Sequence, residues 1–209
     1  MPNVSTPRSL LSTLTLVTAF LCAAQPALAH HVMDGQLPQT FIQGLLSGFG
    51  HPLIGLDHLA FVLAVGLITA TARISMAWKL GLPLVFVTGT LIGTGLHLQL
   101  LALPQSELII ALSVLLAGGL LLAALRLPAL PLALLFLAAG VFHGYAYGES
   151  IVGAETAPLA AYLIGFAIIQ YAIAQAARLT GERINRPLLR IAGGLGAAFG
   201  LLLTLQHLA

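Results

Sequence analysis

Six long apolar segments constrain the fold of this chain more than any other feature of its sequence. They occupy residues 41–70, 77–102, 107–125, 128–148, 157–178 and 187–207. Each is near the ~20 residues that an α-helix needs to cross the hydrocarbon core of a bilayer. Only 7% of the 209 residues are charged, whereas a soluble domain carries about a quarter charged residues. The sequence therefore predicts an all-α membrane protein, a polytopic bundle of six transmembrane helices.

The N-terminus has the pattern of a cleavable secretory signal peptide. Arg8 precedes an apolar run, and an Ala-x-Ala cleavage site ends at Ala29. We therefore expect residues 1–29 to be a signal peptide and residues 30–209 to form a single transmembrane domain. Cleavage would remove Cys22, the one cysteine of the chain, so that no thiolate would remain as a nucleophile or a metal ligand.

The distribution of charged residues predicts the orientation of the bundle. If the signal is removed, residue 30 starts in the periplasm and the first span runs inward. Every remaining lysine and arginine then falls at a cytoplasmic end: Arg73, Lys79, Arg126, Arg178, Arg183, Arg186 and Arg190. This distribution agrees with the positive-inside rule. We expect a multi-pass protein of the bacterial inner membrane whose mature N-terminus is periplasmic.

The first apolar segment contains the octapeptide His-Pro-Leu-Ile-Gly-Leu-Asp-His at residues 51–58. An aspartate near the middle of a transmembrane helix costs about 2.5–3.5 kcal/mol on insertion scales, so it usually meets a cation, a proton or a polar helix. His51 and His58 would stand about 10 Å apart on a regular helix, too far to share one ion. A break at the proline and glycine between them would bring them together. If the helix is regular, the two histidines would bind an ion one after the other along a transport path. Alternatively, Asp57 pairs with a histidine and holds two helices together.

The fourth apolar segment carries a second polar group, Phe-His-Gly-Tyr-Ala-Tyr-Gly-Glu, at residues 142–149. His143 and Tyr147 are four residues apart and so share one face of a helix. Glu149, at the outer end, would be the first negative charge that an entering cation meets.

Two histidines follow the expected cleavage site. His30 and His31 would lie beside the free amine that cleavage creates. They form a candidate site for weak capture of a divalent metal in the periplasm. An ordinary polar tail fits the same residues equally well.

These motifs together resemble the HupE/UreJ family, and the resemblance extends over residues 30–209. It rests on His-Pro-x-x-Gly-x-Asp-His in the first mature span, Phe-His-Gly in the fourth, and a signal peptide that ends just before a histidine. Members of that family are bacterial membrane proteins associated with hydrogenase and urease gene clusters, and they are regarded as nickel or cobalt permeases. The resemblance implies that a metal is bound by His51, Asp57, His58, His143 and Glu149.

One residue departs from the fourth-span motif of that family, Phe-His-Gly-x-Ala-His-Gly. Tyr147 stands where the motif has its second histidine. A His-x3-His pair has a good spacing for a divalent metal, whereas a His-x3-Tyr pair is a weaker ligand set. The affinity for the ion, and even its identity, is therefore left open by the sequence.

The sequence favours a transporter over an enzyme. It contains no His-Glu-x-x-His, Gly-x-Ser-x-Gly, P-loop or dinucleotide-binding motif, so we expect neither catalysis nor ATP-driven transport by this chain alone. The leading hypothesis is a permease that imports Ni²⁺, or Co²⁺, for maturation of a hydrogenase or urease. The metal is then cargo, and no cofactor is permanently bound. The expected partners are the divalent ion and the lipid bilayer, a homo-oligomer is compatible with the sequence, and no basic cluster suggests nucleic acid.

Two alternatives belong to other functional classes. One is a haem-binding electron-transfer bundle that uses pairs such as His58 and His143 as axial ligands. The other is a membrane accessory protein of a nickel enzyme that does not itself transport metal.

Overall fold

The described part of the chain, residues 36–209 of a computed structural model, consists of seven α-helices and contains no β-strand. The helices are α1 (Phe41–Ile54), α2 (Leu56–Thr71), α3 (Met76–Leu98), α4 (Ser106–Leu122), α5 (Ala129–Glu149), α6 (Thr156–Gly181) and α7 (Arg186–Leu208). Their ends lie within a few residues of the predicted segments, except that the first segment forms two helices. The predicted signal peptide at 1–29, together with His30 and His31, lies outside the described residues.

Four of these helices are long and apolar enough to cross a membrane by themselves: α3, α5, α6 and α7. Helices α1 and α2 pass the same test together as one broken span, which makes five. Helix α4 is apolar but has only 17 residues, which rise about 26 Å and fall short of the ~30 Å hydrocarbon core. The all-α, multi-pass architecture is confirmed with four or five spans, and the count of six stays a prediction.

The chain bends by 80° between α1 and α2. Gly55 occupies the break in an extended conformation, and its N–H donates to the carbonyl of His51. Pro52 has no N–H to complete the last turn of α1, which weakens the helix just before the break. Asp57 lies in the first turn of α2, where its Oδ1 accepts from the N–H of His58 at 2.8 Å and its charge suits the positive end of the helix. One of the alternatives left open by the sequence, a break within the octapeptide, is therefore the one that occurs.

Glycines hold the helices in three close pairs. Helices α1 and α2 follow α6 in the same direction, α3 runs parallel to α5, and α4 runs antiparallel to α7. A Cβ on Gly140 would lie 2.6 Å from the carbonyl oxygen of Phe86, and one on Gly93 would overlap the backbone of Val141. Apolar side chains gain nothing from leaving lipid for one another, so close backbone packing of this kind drives helix association in a membrane.

This packing predicts different effects for alanine at two glycines of α3. Gly93 faces the backbone of α5, whereas a Cβ on Gly95 meets nothing within 4 Å. Both substitutions gain the same helix propensity, about 1 kcal/mol. Gly93→Ala also overpacks the α3–α5 contact, which costs about 1–3 kcal/mol. In detergent, we expect the Gly93→Ala protein to melt several degrees below the Gly95→Ala protein. Equal melting temperatures would show that α3 and α5 can separate slightly at this contact without a loss of stability.

An ion-pair network joins the ends of α3 and α6. Glu182 Oε1 accepts from Lys79 Nζ at 2.7 Å and from Arg178 Nη1 at 3.0 Å. The hydrogen bond from Lys79, followed by the charges of both cations, lowers the pKa of the Glu182 carboxyl below its ordinary value. The Lys79–Glu182 pair connects the first turn of α3 to the residue after α6. The start of α3 and the end of α6 therefore lie together at the basic end of the bundle.

The lowered pKa of Glu182 predicts a pH-dependent contribution to stability. A carboxyl whose pKa is lower in the folded state stabilises the fold above its unfolded pKa, and this stabilisation is lost as the pH falls through the lowered value. The pair is partly exposed, so we expect less than about 1 kcal/mol. Glu182→Gln should reduce the loss of thermal stability between about pH 6 and pH 3. Glu155→Gln, at the other end of α6, is the control; an equal reduction in both variants would contradict the assignment.

Candidate metal site

Three histidines meet at the break between α1 and α2. His51 lies in the last turn of α1 and His58 in the first turn of α2, and the bend brings their ring centroids to 6.2 Å. His143 approaches from α5, with its Nδ1 2.7 Å from Nδ1 of His58. All three side chains are fully buried. A broken helix and a histidine from the fourth apolar segment thus together form the cluster.

Tyr147 fills the space beside the first two histidines. Its ring centroid lies 4.8 Å from that of His51 and 4.3 Å from that of His58. Its hydroxyl is buried and has no hydrogen-bond partner among residues 36–209. The position at which the family motif has its second histidine is therefore in the centre of the cluster.

Hydroxyl groups fix the orientation of His51. Its Nδ1 lies 3.0 Å from Ser150 Oγ and 3.0 Å from the Tyr162 hydroxyl. Both hydroxyls also donate to the carbonyl of Tyr147, at 3.0 and 3.1 Å. The two hydroxyls also lie 3.2 Å from each other. His51 Nδ1, Ser150 and Tyr162 therefore form one hydrogen-bonded group around the carbonyl of Tyr147.

Hydrogen bonds also hold the other two rings. Ser113 Oγ donates to the carbonyl of Ile110 at 2.7 Å and lies 2.9 Å from Nε2 of His143. Nδ1 of His143 and Nδ1 of His58 share one hydrogen bond, so one of these two nitrogens carries the proton. Hydrogen bonds to one ring nitrogen commonly set which nitrogen of a histidine binds a metal. In both His51 and His58, the hydrogen bonds described above engage Nδ1.

The two candidate carboxylates differ in their surroundings. Asp57 is partly buried beside His58, with one oxygen bound to the helix backbone. Glu149 is exposed at the last residue of α5. In the part of the chain that the structure describes, no group of three or more His, Cys, Asp or Glu is arranged to hold a metal ion. Because Nδ1 of His143 is engaged with His58, that hydrogen bond has to open before His143 can be a third ligand.

Three phenylalanines close the cluster on the side of the basic end. Phe61 follows His58 by one turn of α2, and its ring lies 4.6 Å from His143. Phe86 and Phe136 pack on Phe61 at 5.4 and 6.4 Å. All three rings are fully buried, and they pack against one another on this side of the histidines.

Sequence reasoning did not identify the supporting residues Ser113, Ser150 and Tyr162. A single serine or tyrosine in an apolar segment is a weak indication of a functional site, because its hydroxyl commonly forms a hydrogen bond with the backbone of its own helix. Their role depends on which helices are neighbours, and the sequence does not show that.

Comparisons with known proteins agree with the motifs. The family model described as HupE / UreJ protein matches residues 18–203. The chain is also similar to Protein HupE from Rhizobium leguminosarum bv. viciae, with 29% identity over 188 residues, which cover 88% of this chain and 94% of the relative. No solved structure matches. The family match includes the whole histidine cluster, and the chain belongs to the HupE/UreJ family.

Proposed function

We propose that this protein is an inner-membrane permease that imports a divalent transition metal, in the first place Ni²⁺, for maturation of a nickel enzyme. The observation that carries the proposal is the meeting of His51, His58 and His143 in the buried centre of a membrane bundle. Neutral imidazoles suit borderline ions such as Ni²⁺ and Co²⁺. Ionisable residues buried in membrane helices commonly mark the pathway of an ion or a proton.

The proposed path runs from the end that carries Glu149 toward the basic end. Glu149, with His30 and His31 before the first helix, raises the local concentration of cations. The ion then reaches Nε2 of His51 and of His58, and His143 joins once its hydrogen bond to His58 opens. Passage beyond this point needs the phenylalanine layer to move. In this proposal, the described conformation is a closed state of the permease.

The topology is part of the proposal. Six passes, a cleaved signal peptide and a periplasmic mature N-terminus place Glu149 outside and all seven lysines and arginines of the mature chain inside. The antiparallel course of α4 along α7 supports this topology, because it carries the chain from the outer end of α3 back to the basic end.

The geometry favours a metal ion over haem. Axial ligation by His58 and His143 would require the macrocycle to fit between two nitrogens that lie 2.7 Å apart. The ring of Phe61 also packs on His143 at 4.6 Å. A purified haem protein would show a strong Soret absorption band, and we expect this protein to show none.

Influx into liposomes tests transport by this chain alone. The purified full-length protein is reconstituted into vesicles that enclose a nickel-sensitive fluorescent dye. We expect saturable influx of Ni²⁺ that exceeds influx into protein-free vesicles, and competition by Co²⁺ but not by Mg²⁺, which prefers oxygen ligands. Influx at the protein-free rate would favour the accessory-protein alternative.

A further inference from the structure

Three arginines surround a cavity at the basic end of the bundle, remote from the histidines. The cavity measures about 230 Å³ and is lined by Arg126, Arg186 and Arg190, with Thr71 and Leu121 on its wall. Arg126 lies between α4 and α5, and the other two lie in the first turns of α7. Within residues 36–209 the ion pairs are those that Glu182 makes with Lys79 and Arg178. The three positive charges around the cavity therefore have no carboxylate partner in the described chain.

An apolar groove begins where this cavity ends. It measures about 340 Å³ and runs between α2, α4 and α7, lined only by apolar residues such as Leu63, Val114 and Phe199. Leu121 lines both the cavity and the groove. A site with a cationic end and a continuous apolar track has the two-part chemistry of an anionic amphiphile.

We propose that this composite site binds one anionic phospholipid, with its phosphate among the three arginines and one acyl chain in the groove. Guanidinium groups bind phosphate oxygens through paired hydrogen bonds, and the N-terminus of α7 adds its positive dipole. Basic pockets between membrane helices on the cytoplasmic side are suited to anionic headgroups. The proposal rests on this end of the bundle alone and is independent of metal transport.

Charge argues against the other occupants of the groove. A second copy of the chain packed side by side, in the same orientation, would bring its own arginines to the same level of the membrane and oppose the contact. Inorganic phosphate would satisfy the arginines but would leave the groove without an occupant. A phospholipid fills both parts at once.

Lipid binding to the purified full-length protein tests the proposal. Native mass spectrometry and thermal shift are measured with phosphatidylglycerol, with phosphatidylcholine of the same acyl chains, and with inorganic phosphate. We expect one phosphatidylglycerol per chain, bound at least about tenfold more tightly than phosphatidylcholine. The Arg126→Gln, Arg190→Gln double variant should bind phosphatidylglycerol about thirtyfold more weakly.

The matched control is the Arg73→Gln, Arg183→Gln double variant, which removes two arginines that do not line the cavity. It should keep the preference for phosphatidylglycerol. Ala192→Phe, which fills the groove and keeps every arginine, should weaken phosphatidylglycerol binding, and it tests the groove even if the arginine variant fails to fold.

Four results would overturn the proposal. Equal binding of the two lipids would remove the role of charge, and equal losses in the two arginine variants would show a general surface effect. A full thermal shift from inorganic phosphate alone would assign the cavity to a free anion. Dimers held through the groove, and broken by Ala192→Phe, would assign the groove to a second copy.

Discussion

Cells that carry the Asp57→Ala, His58→Ala variant are expected to take up radiolabelled nickel no faster than cells without the protein. His58 contacts His143 through its Nδ1, and its ring packs against both His51 and Tyr147. Removal of this ring takes away one proposed ligand and the hydrogen-bond partner of His143 on α2. Loss of Asp57 removes the acceptor for the backbone N–H at the start of α2. Uptake is measured in nickel-starved cells.

The control for this experiment is His207→Ala, which removes an exposed histidine near the C-terminal end of α7. It should leave uptake unchanged. Protein levels in the membrane fraction are compared for both variants, because His58 is buried and its loss can reduce the amount of folded protein. Normal uptake by a stably present double variant would contradict the proposed site.

Tyr147→His is expected to bind nickel at least about tenfold more tightly than the unaltered chain, since an added imidazole is a far better ligand for this ion than a neutral phenol. The ring at this position lies within 5 Å of both His51 and His58 by centroid distance. A histidine here would add a third imidazole without the need to break the His58–His143 hydrogen bond. Affinity is measured by titration of the purified protein with nickel.

Tyr145→His is the matched control for this substitution. Tyr145 lies two residues earlier on α5, and its ring packs against His97 at a centroid distance of 4.5 Å, away from the cluster. The same new imidazole there should not raise affinity at the proposed site. Equal gains from the two substitutions, or no gain from Tyr147→His, would show that the space beside His51 and His58 is not where the ion binds.

Much of this fold could be predicted from the sequence because a membrane helix is determined by the residues of its own segment. A run of about 20 apolar residues is a property of one segment, and the predicted segments match the observed helices closely. The exception is the first segment: residues 41–70 form one long, mostly apolar stretch, yet one helix ends and another begins at Pro52 and Gly55. Those two residues made a break one of the alternatives that the sequence left open, but the 80° angle depends on how α1 and α2 each pack on α6.

The candidate site was predictable only in part, for the same reason. His51, His58 and His143 attract attention as polar residues in apolar segments, and the structure brings them together. Their hydrogen-bond partners Ser113 and Tyr162 come from two further helices. Which helices are neighbours is set by close contacts such as Gly48 against the backbone of Tyr162, and helix spacing along the chain does not reveal these contacts.

X-ray absorption of the nickel-loaded protein tests the central claim most directly. The purified chain is loaded with one equivalent of Ni²⁺, and the ligands around the metal are determined from the extended fine structure above the nickel absorption edge. We predict at least two imidazole nitrogen ligands, which disappear in the His51→Ala, His58→Ala variant while His207→Ala retains them. A metal surrounded by oxygen alone, or one with the same imidazole signal in both variants, would contradict the claim that the histidines at the α1–α2 break hold the transported ion.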